Sequence, residues 1–253
     1  MDRCNDMPNE SVICGRNPVT EALRSGRAID SLMVARGERA GSIGVILSLC
    51  REAGIPVKEV APQKLDYITG HANHQGVALL CAAHEYAEVD DILSLARERG
   101  EDPFVVVCDR LEDPHNLGAV IRTAEAAGCH GIILPKRRSA ALTAAVAKAA
   151  AGALEYLPVA RVSNLAATLE DLKKKGFWIY GADMDGTDWN HVDYSGPVAL
   201  VIGSEGEGLG RLIRETCDVV VSLPMNGKIN SLNASVAAGI LMYDIARQRS
   251  RKQ

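Results

Sequence analysis

The sequence predicts two α/β units in one chain, a smaller N-terminal unit and a larger C-terminal unit built on a parallel sheet. Short apolar strands alternate with helical patterns in both halves, which is typical of α/β folds. The strands of the second half are almost continuously apolar, as in FVVVCD at 104–109, and such strands are typical of parallel sheets covered on both faces. A charged segment at 86–103 separates the halves, and 253 residues suffice for two modest domains.

The N-terminal unit, residues 1–85, is predicted to alternate helices and strands. Pro18 follows Asn17 at an early helical position, which favours the start of a helix there. Gly54 ends a second helical pattern just before the strand PVKEV. One predicted helix runs from Asn17 through Leu23, and two more cover 42–53 and 62–69. The predicted strands cover 31–35, 56–60 and 76–83.

The segment 86–103 is predicted to be a linker with one amphipathic helical stretch. It holds six acidic and two basic side chains, a difference of −4, which equals the net charge of the whole chain. A negative chain is a weak argument against nucleic-acid binding, but basic clusters remain at Lys136–Arg138, Lys173–Lys175 and 247–252. Each cluster is also typical of a solvated helix end, so bulk charge neither indicates nor excludes an RNA partner.

The C-terminal unit, residues 104–253, is predicted to be the larger α/β domain. Its apolar strands and intervening helices predict a parallel sheet with helices on both faces. The predicted strands cover 104–109, 131–134, 177–182, 197–202 and 218–223, and the predicted helices cover 116–127, 141–152, 164–175, 208–216 and 231–248.

Bulk features favour a cytoplasmic protein with neither a membrane span nor a metal site. No apolar run reaches the roughly 18 residues of a membrane span, and the N-terminal MDRCNDMPNE lacks the apolar core of a secretory signal. His71 and His74 have no cysteine or carboxylate at ligand spacing.

The seven cysteines form no C-x-x-C pair and predict reduced, mostly buried thiols; a catalytic thiol has no local support. They are Cys4, Cys14, Cys50, Cys81, Cys108, Cys129 and Cys217.

A first candidate site segment is DRLEDPHNLGAVIRTAEAAG at 109–128, which follows the C-terminal end of a strand. Open α/β sheets place their ligands at such strand ends. Asn116 lies near the predicted helix start, and Arg122 lies six residues further on, near the same helix face. A helix cap and a surface arginine would explain the same pattern.

A second segment, VALVIGSEGEGLG at 198–210, runs from a buried strand into a glycine-rich loop. Glycines such as Gly203 allow a ligand to approach the backbone closely. The loop has neither the ending of a P-loop nor a G-x-G-x-x-G pattern, and a simple strand-to-helix turn is the plain alternative. Glu205 within it is expected either to bind something or to be exposed.

A third segment, SLPMNGKINSLNASVAAGILMYDIA at 222–246, joins a strand ending at Leu223 to a long helix. Ser231, Leu232 and Asn233 lie at the predicted helix start, where helix capping alone would explain the polar residues. The helix that follows has small and apolar residues on one face, which suits close packing, including against another subunit.

In their order and spacing, the three segments resemble the signature motifs of the SpoU (TrmH-like) RNA 2′-O-ribose methyltransferases of the SPOUT superfamily. The motifs are DPHNLGAVIRTA, VIGSEGEGL and LPMNGKINSLNASVA, within 104–247. GRNPVTEAL and HQGVAL in the first unit resemble the family's L30e-like RNA substrate-binding domain. The nearest resemblance is to the bacterial subgroup that methylates a guanosine of 23S ribosomal RNA.

This resemblance implies a trefoil-knotted C-terminal methyltransferase domain, a homodimer formed through it, and S-adenosyl-L-methionine as the cofactor. It places the backbone around three residues at the cofactor and five residues in the active site. The cofactor positions are Gly203, Leu223 and Leu232. The active-site positions are Asn116, Arg122, Glu205, Ser231 and Asn233. The loop at Ile229-Asn230 departs from many relatives, which often have Glu or Ser there.

The implied reaction needs alignment of a ribose 2′-hydroxyl with a reactive methyl carbon and removal of the hydroxyl proton. We expect Asn116 to orient the ribose and Glu205 to orient Arg122 or the ribose. Arg122 is the family's proposed base, but a guanidinium is always protonated, so we expect it to clamp a phosphate. Ser231 and Asn233 are expected to close the pocket.

Three alternatives stay open at this stage. A non-catalytic RNA-binding protein would keep the first unit and need no cofactor. A dehydrogenase would need the G-x-G-x-x-G turn and a later acid, which are absent. Within the methyltransferases, a transfer-RNA guanosine enzyme or a resistance enzyme acting on ribosomal RNA are the competing substrate assignments.

Overall fold

The computed structural model describes residues 12–24, 28–37, 41–81 and 84–250. The chain divides into two compact units, with the main boundary between Glu85 and Tyr86 and with Ala141–Ala144 grouped with the first unit. No helix in these ranges is long and apolar enough to cross a membrane.

The N-terminal unit is a four-stranded mixed sheet with the order β1-β4-β2-β3. Strand β4 pairs antiparallel with β1 and β2, whereas β2 and β3 are parallel. Each predicted helix and strand is present, and the three-residue strand β1 is an addition that was too short to show a pattern. The elements are β1 Val12–Cys14, α1 Arg16–Arg24, β2 Ile29–Ala35, α2 Ser42–Glu52, β3 Val57–Val60, α3 Pro62–Ile68 and β4 Val77–Cys81.

Helices cover both faces of this small sheet because the side chains of β2 alternate. Leu32 and Val34 pack in one apolar cluster with the buried face of α1 and α2. Met33 and Ala35 point to the opposite face, where they pack in a second cluster with Leu65 of α3. The alternation follows from the two-residue period of a strand.

The segment 86–103, predicted to be a linker with one amphipathic helical stretch, groups with the C-terminal unit. It contains helix α4, Val89–Arg99, and the backbone N–H of Glu88 donates to the Asp91 carboxylate at 2.9 Å at the helix start. Ile92 is fully buried in the core of the C-terminal unit. A Cβ atom added to Gly131 would lie 2.6 Å from the Ile92 side chain, so the contact requires a glycine there.

The C-terminal unit is a six-stranded, all-parallel sheet with the order β10-β8-β9-β5-β6-β7. The predicted parallel sheet is confirmed. Strand β7 was not predicted, and β8 runs six residues beyond the predicted 177–182. The elements are β5 Phe104–Cys108, α5 Pro114–Ala126, β6 Gly131–Pro135, α6 Ala144–Ala150, β7 Val159–Val162, α7 Leu165–Lys174, β8 Trp178–Asp188, β9 Val198–Ile202, α8 Arg211–Thr216, β10 Val219–Ser222 and α9 Ala234–Ser250.

His130 is a fully buried polar side chain at the start of β6. Its Nδ1 accepts the backbone N–H of Phe104 at 3.0 Å, so the ring proton lies on Nε2, which donates to Glu101 at 3.1 Å. Burial lowers the pKa of His130 below its usual value, because the charged ring would lose its hydration, and the nearby Glu101 carboxylate only partly offsets this.

The described cysteines are all free thiols, as predicted, and Cys4 lies outside the described residues. Burial raises the pKa of Cys50 to about 11 and that of Cys108 to about 12. His74 has a carboxylate partner that the spacing did not reveal, since its Nε2 lies 3.1 Å from Asp66 Oδ1. Among the described residues, no group of three or more metal-ligating side chains could hold an ion.

Candidate active site

The three candidate segments meet at one edge of the large sheet. They follow the C-terminal ends of β5, β9 and β10, and because all strands are parallel these ends lie on the same edge. That edge is where open α/β sheets bind their ligands. The predicted convergence of the three segments is therefore present in the structure.

Asn116 is the third residue of α5 rather than its cap. Asp113 occupies the cap position and accepts the backbone N–H of His115 at 2.7 Å, and Pro114 fills the first helical position. Asn116 is thus free of capping and is 7% exposed. Its buried amide must find partners elsewhere, since an unpaired buried amide is costly.

The glycine-rich loop after β9 is a tight hairpin-like turn. Ser204 and Gly208 exchange backbone hydrogen bonds of 3.1 Å in both directions. A Cβ atom on Gly203 would lie 2.3 Å from the backbone of Gly208, so only glycine allows the loop to close this tightly. The turn projects Glu205 outward next to the start of α5.

Two charged residues after β5 hold this turn in place. The Asp109 carboxylate accepts the backbone N–H of Gly210 at 2.7 Å. Arg110 forms a 2.7 Å ion pair with Glu207 and donates to the carbonyl of Gly208 at 3.3 Å. Sequence reasoning did not single out these positions. No sequence signal marks them, since the positive φ of 57° at Arg110 is a feature of the fold.

Asn233 has two roles that use the two ends of its amide. Its Oδ1 caps α9 by accepting the backbone N–H of Ser235 at 2.9 Å and the Ser235 hydroxyl at 2.6 Å. Because a backbone N–H can only donate, this fixes Nδ2 toward the neighbouring loops. The helix therefore starts at Ala234, three residues later than predicted.

Asn116, Glu205 and Asn233 form a closed hydrogen-bonded cluster, named here the Asn116–Glu205–Asn233 cluster. Asn116 Nδ2 donates to Glu205 Oε1 at 2.7 Å, and Asn233 Nδ2 donates to the same oxygen at 2.6 Å. Asn233 Nδ2 also donates to Asn116 Oδ1 at 3.0 Å. The cluster joins three predicted site residues, one from each segment, although they are up to 117 residues apart in the sequence.

A cavity of about 410 Å³ lies beside the cluster, between the middle of β8 and the ends of β9 and β10. Its lining includes all three predicted cofactor residues together with two of the predicted active-site residues. They are Gly203, Leu223, Leu232, Glu205 and Ser231. Apolar side chains such as Ile202 and Leu241 form much of the wall, and the Asp183 carboxylate, which pairs with Arg214 at 2.6 Å, adds a charged group that was not predicted.

Glu205 also lines a second cavity, of about 390 Å³. It shares Ser204 and Glu205 with the first, and Asn116 also faces it. Most of its lining is charged. The Asn116–Glu205–Asn233 cluster therefore stands where an apolar cavity and a polar cavity meet.

Arg122 lies apart from the other predicted site residues. It is exposed on α5 and, within the described part of the chain, its side chain has neither an ion pair nor a hydrogen bond. Six residues along a helix turn Arg122 well away from the direction of Asn116. One sequence-based expectation was that Glu205 orients Arg122. In the structure Glu205 instead binds Asn116 and Asn233.

Two family models match the chain, one for each unit. Residues 103–243 match the SpoU rRNA Methylase family, and residues 12–87 match the model for RNA 2′-O ribose methyltransferase substrate binding.

The chain belongs to the SpoU methylase family.

This SpoU methylase is 50% identical over 240 residues to YacO of Bacillus subtilis (strain 168), which is assigned to the TrmH family of tRNA/rRNA methyltransferases. The match covers 94% of this chain and 96% of YacO. The crystal structure of the SpoU methyltransferase AviRb from Streptomyces viridochromogenes, in complex with AdoMet, is similar over 95% of this chain and 90% of that one, with a TM-score of 0.59 and 27% identity. The AdoMet-bound rRNA methyltransferase from Sinorhizobium meliloti is similar over 93% and 86%, with a TM-score of 0.58 and 27% identity.

Family membership makes this SpoU methylase an RNA 2′-O-ribose methyltransferase whose cofactor is S-adenosylmethionine. The first cavity fits such a molecule in size and lining. Its volume falls within the range of small-molecule sites, and its mostly apolar wall with a few polar groups suits an adenine ring with a charged tail.

Proposed function

We propose that this enzyme methylates the ribose of a guanosine in 23S ribosomal RNA. The observation on which this depends most is the Asn116–Glu205–Asn233 cluster, which stands at the junction of the two cavities. The name of the matching family model and the rRNA methyltransferase among the similar structures both favour ribosomal RNA. YacO is named for both RNA classes, so a transfer-RNA guanosine is the second candidate.

The backbone around Gly203, Leu223 and Leu232 would hold S-adenosylmethionine in the first cavity. When bound, this cofactor supplies a methyl carbon already activated by a sulfonium. The protein therefore has two tasks, which are to align the ribose oxygen with that carbon and to accept the hydroxyl proton. Ser231, at the cavity wall, would help to close it.

Asn116 and Glu205 would align the ribose at the junction. Glu205 Oε1 is occupied by the two amides, so its other oxygen is the acceptor left for a ribose hydroxyl. Asn233 would hold Glu205 in place. The bond formed joins O2′ to the methyl carbon, the bond broken joins that carbon to sulfur, and the hydroxyl proton passes to a phosphate oxygen of the RNA or to water.

Arg122 would contribute as a phosphate clamp, because a guanidinium presents paired N–H donors and a positive charge that match a phosphate. Its exposed position on α5 suits a group that binds RNA or completes a site in a second copy of the chain. The Arg122→Lys enzyme tests this role, since lysine keeps the charge and loses the two-pronged geometry. We expect a lower rate; an unchanged rate and pH profile would contradict it.

We also propose the homodimer and the trefoil knot that family membership implies. The dimer is supported by an exposed apolar strip that starts at Leu232, just before α9, and continues through Val236 to Tyr243 in the middle of the helix. These side chains are 40%, 50% and 54% exposed. The N-terminal domain, residues 1–85, would dock folded RNA by its shape and phosphates. Free, mostly buried thiols suit a cytoplasmic location.

Mapping of 2′-O-methyl groups in total RNA tests the function directly. RNA from cells that lack the protein is incubated with the purified enzyme and S-adenosylmethionine, and each new methyl group is located at nucleotide resolution. We expect one new site, at a guanosine of 23S ribosomal RNA. A site only in transfer RNA would favour the second candidate, and no transfer to any RNA would contradict the proposal and favour a non-catalytic RNA-binding protein.

A further inference from the structure

The second cavity contains more charged side chains than the alignment of a ribose requires. Two guanidinium groups and four carboxylates line it. They are Arg110, Arg138, Glu112, Asp113, Glu205 and Glu207.

Most of these charges are already engaged. Arg110 pairs with Glu207 at 2.7 Å, and Asp113 caps α5. Glu205 accepts the two amides of the Asn116–Glu205–Asn233 cluster. The side chains of Glu112 and Arg138 have neither an ion pair nor a hydrogen bond to any residue that the structure describes.

Glu112 and Arg138 lie on two loops that are fastened to each other. The backbone N–H of Ala140 donates to the carbonyl of Leu111 at 2.8 Å. One loop follows β5 and the other follows β6, which are adjacent parallel strands. An acceptor and a donor group therefore face one cavity from neighbouring loops without forming an ion pair, which leaves room between them for a polar ligand.

Arg138 adopts a left-handed backbone conformation, with a φ of 55°. Residues other than glycine rarely adopt this conformation, and such strain concentrates at ligand-binding sites. Arg137 is a natural control, because it is exposed like Arg138 and lies next to it in the sequence but does not line the cavity.

The charge balance of the lining favours a neutral base over a phosphate. Four carboxylates against two guanidinium groups would repel an anion. A carboxylate can only accept hydrogen bonds and a guanidinium can only donate them. The best ligand therefore presents paired donors on one edge and paired acceptors on another.

Guanine is the standard base that has both edges. Its N1–H and N2–H₂ groups are adjacent donors, and its O6 and N7 atoms are adjacent acceptors, the pair that arginine binds with two hydrogen bonds. Adenine, cytosine and uracil mix donors with acceptors on each edge. We propose, building on the proposed function, that the second cavity binds the unstacked guanine of the target nucleotide, with Glu112 at N1–H and N2–H₂ and Arg138 at O6 and N7.

Single-atom changes in the RNA test each contact separately. The segment around the mapped site is prepared with the target guanosine replaced by inosine, which lacks the 2-amino group, or by 7-deazaguanosine, which lacks N7. We expect the wild-type kcat/KM to fall by about 10- to 150-fold on each RNA, because each analogue loses one hydrogen bond to a charged side chain.

Protein variants identify the residue that makes each contact. We expect Glu112→Ala to lose a similar factor on guanosine and to treat inosine and guanosine alike within about twofold. Arg138→Ala should become equally indifferent to 7-deazaguanosine. Arg137→Ala should match the wild type on every RNA, and calorimetry should show the same S-adenosylmethionine affinity for all four proteins.

Several results would overturn the assignment. A Glu112→Ala enzyme that keeps the wild-type inosine penalty would overturn the role of Glu112, and the same holds for Arg138→Ala and 7-deazaguanosine. Methyl transfer to a nucleotide other than guanosine would overturn guanine binding while leaving the methyltransferase function in place. If a variant loses cofactor binding, the test depends on the wild-type enzyme alone. Equal wild-type kcat/KM values on the inosine and guanosine RNAs would then refute the contact to the 2-amino group. No transfer to any RNA would instead refute the proposed function itself.

Discussion

The Asn233→Asp variant perturbs the Asn116–Glu205–Asn233 cluster without removing the cap of α9. Aspartate caps a helix as well as asparagine does, so the bonds to Ser235 are kept. The change replaces the Nδ2 donor by a second oxygen, which would face Glu205 Oε1 at the 2.6 Å position and Asn116 Oδ1 at the 3.0 Å position. Two donor bonds are lost, and two carboxylates are brought into contact.

The size of the effect follows from these contacts. A hydrogen bond to a charged acceptor contributes about 1.5–3 kcal/mol and a neutral one about 1 kcal/mol. Glu205 is exposed, so water replaces part of the first loss. We therefore expect the free energy of unfolding to fall by about 2–3 kcal/mol at pH 8, which corresponds to a Tm lower by about 4–12 °C for a domain of this size.

The loss should depend on pH in a defined direction. Two touching carboxylates cannot both ionise, so the pKa of the pair rises in the folded state above the value of about 4 in the unfolded chain. The folded variant then binds more protons than the unfolded one, and its stability falls as the pH rises above 4. Near pH 4 the pair shares a proton, and the destabilisation should be smallest.

Denaturant unfolding at pH values from 4.5 to 8 measures this prediction. The quantity to compare is the difference in unfolding free energy between the variant and the wild type, which cancels other titrating groups. Asn233→Ser is the matched control, because serine caps the helix and stays neutral, so its difference should be independent of pH. A difference for Asn233→Asp that does not change across this range would refute the hydrogen-bonded cluster.

Three further predictions concern stability and reactivity. Because burial lowers the pKa of His130, the unfolded state binds the extra proton first, and the free energy of unfolding should decrease as the pH falls below about 6.5. The His130→Gln variant should show a weaker decrease in denaturant unfolding. An equal decrease would contradict the explanation. Gly118→Ala should lower the free energy of unfolding by about 1–3 kcal/mol, since the new Cβ would lie 2.4 Å from Ala149 Cβ. Gly44→Ala is the control in the same denaturation assay. It should not destabilise the protein, because a Cβ at Gly44 would have nothing within 4 Å. The pKa of Cys108, raised to about 12, should keep that thiol unlabelled by a maleimide at pH 8 until urea unfolds the protein, as mass spectrometry can show; labelling of the folded protein would contradict its burial.

The sequence predicted the parallel sheet because its strands are fully buried and therefore almost entirely apolar. It missed β7, whose four residues include Arg161 and which lies at the sheet edge, where only one neighbour imposes a pattern. It started α8 too early because the extended backbone at Gly210, with a ψ of 143°, is a tertiary feature that composition does not show.

The candidate site was predicted in part. The resemblance placed Asn116, Glu205 and Asn233 in one site, but each alone was equally consistent with capping or a turn. Spacing could not show that Asp113 takes the cap of α5 and so frees Asn116 for the cluster. Arg122 was also predicted in the site, but the structure leaves it exposed and outside the cluster. Its spacing from Asn116 along the helix could not show which groups each side chain would meet.

Glu112 and Arg138 were beyond prediction for a related reason. They belong to different loops, and only the pairing of β5 with β6 and the bond between Ala140 and Leu111 bring those loops together. Nothing local marks either residue, apart from the left-handed backbone of Arg138, which the sequence does not reveal.

A crystal structure with a non-reactive analogue of S-adenosylmethionine, in which an amine replaces the methyl-bearing sulfonium, would test most directly whether the three loops form one catalytic cavity. We expect the analogue between Gly203, Leu223 and Leu232, with its amine facing the Asn116–Glu205–Asn233 cluster. An analogue bound outside this cavity, or with its amine turned away from Glu205, would contradict the account.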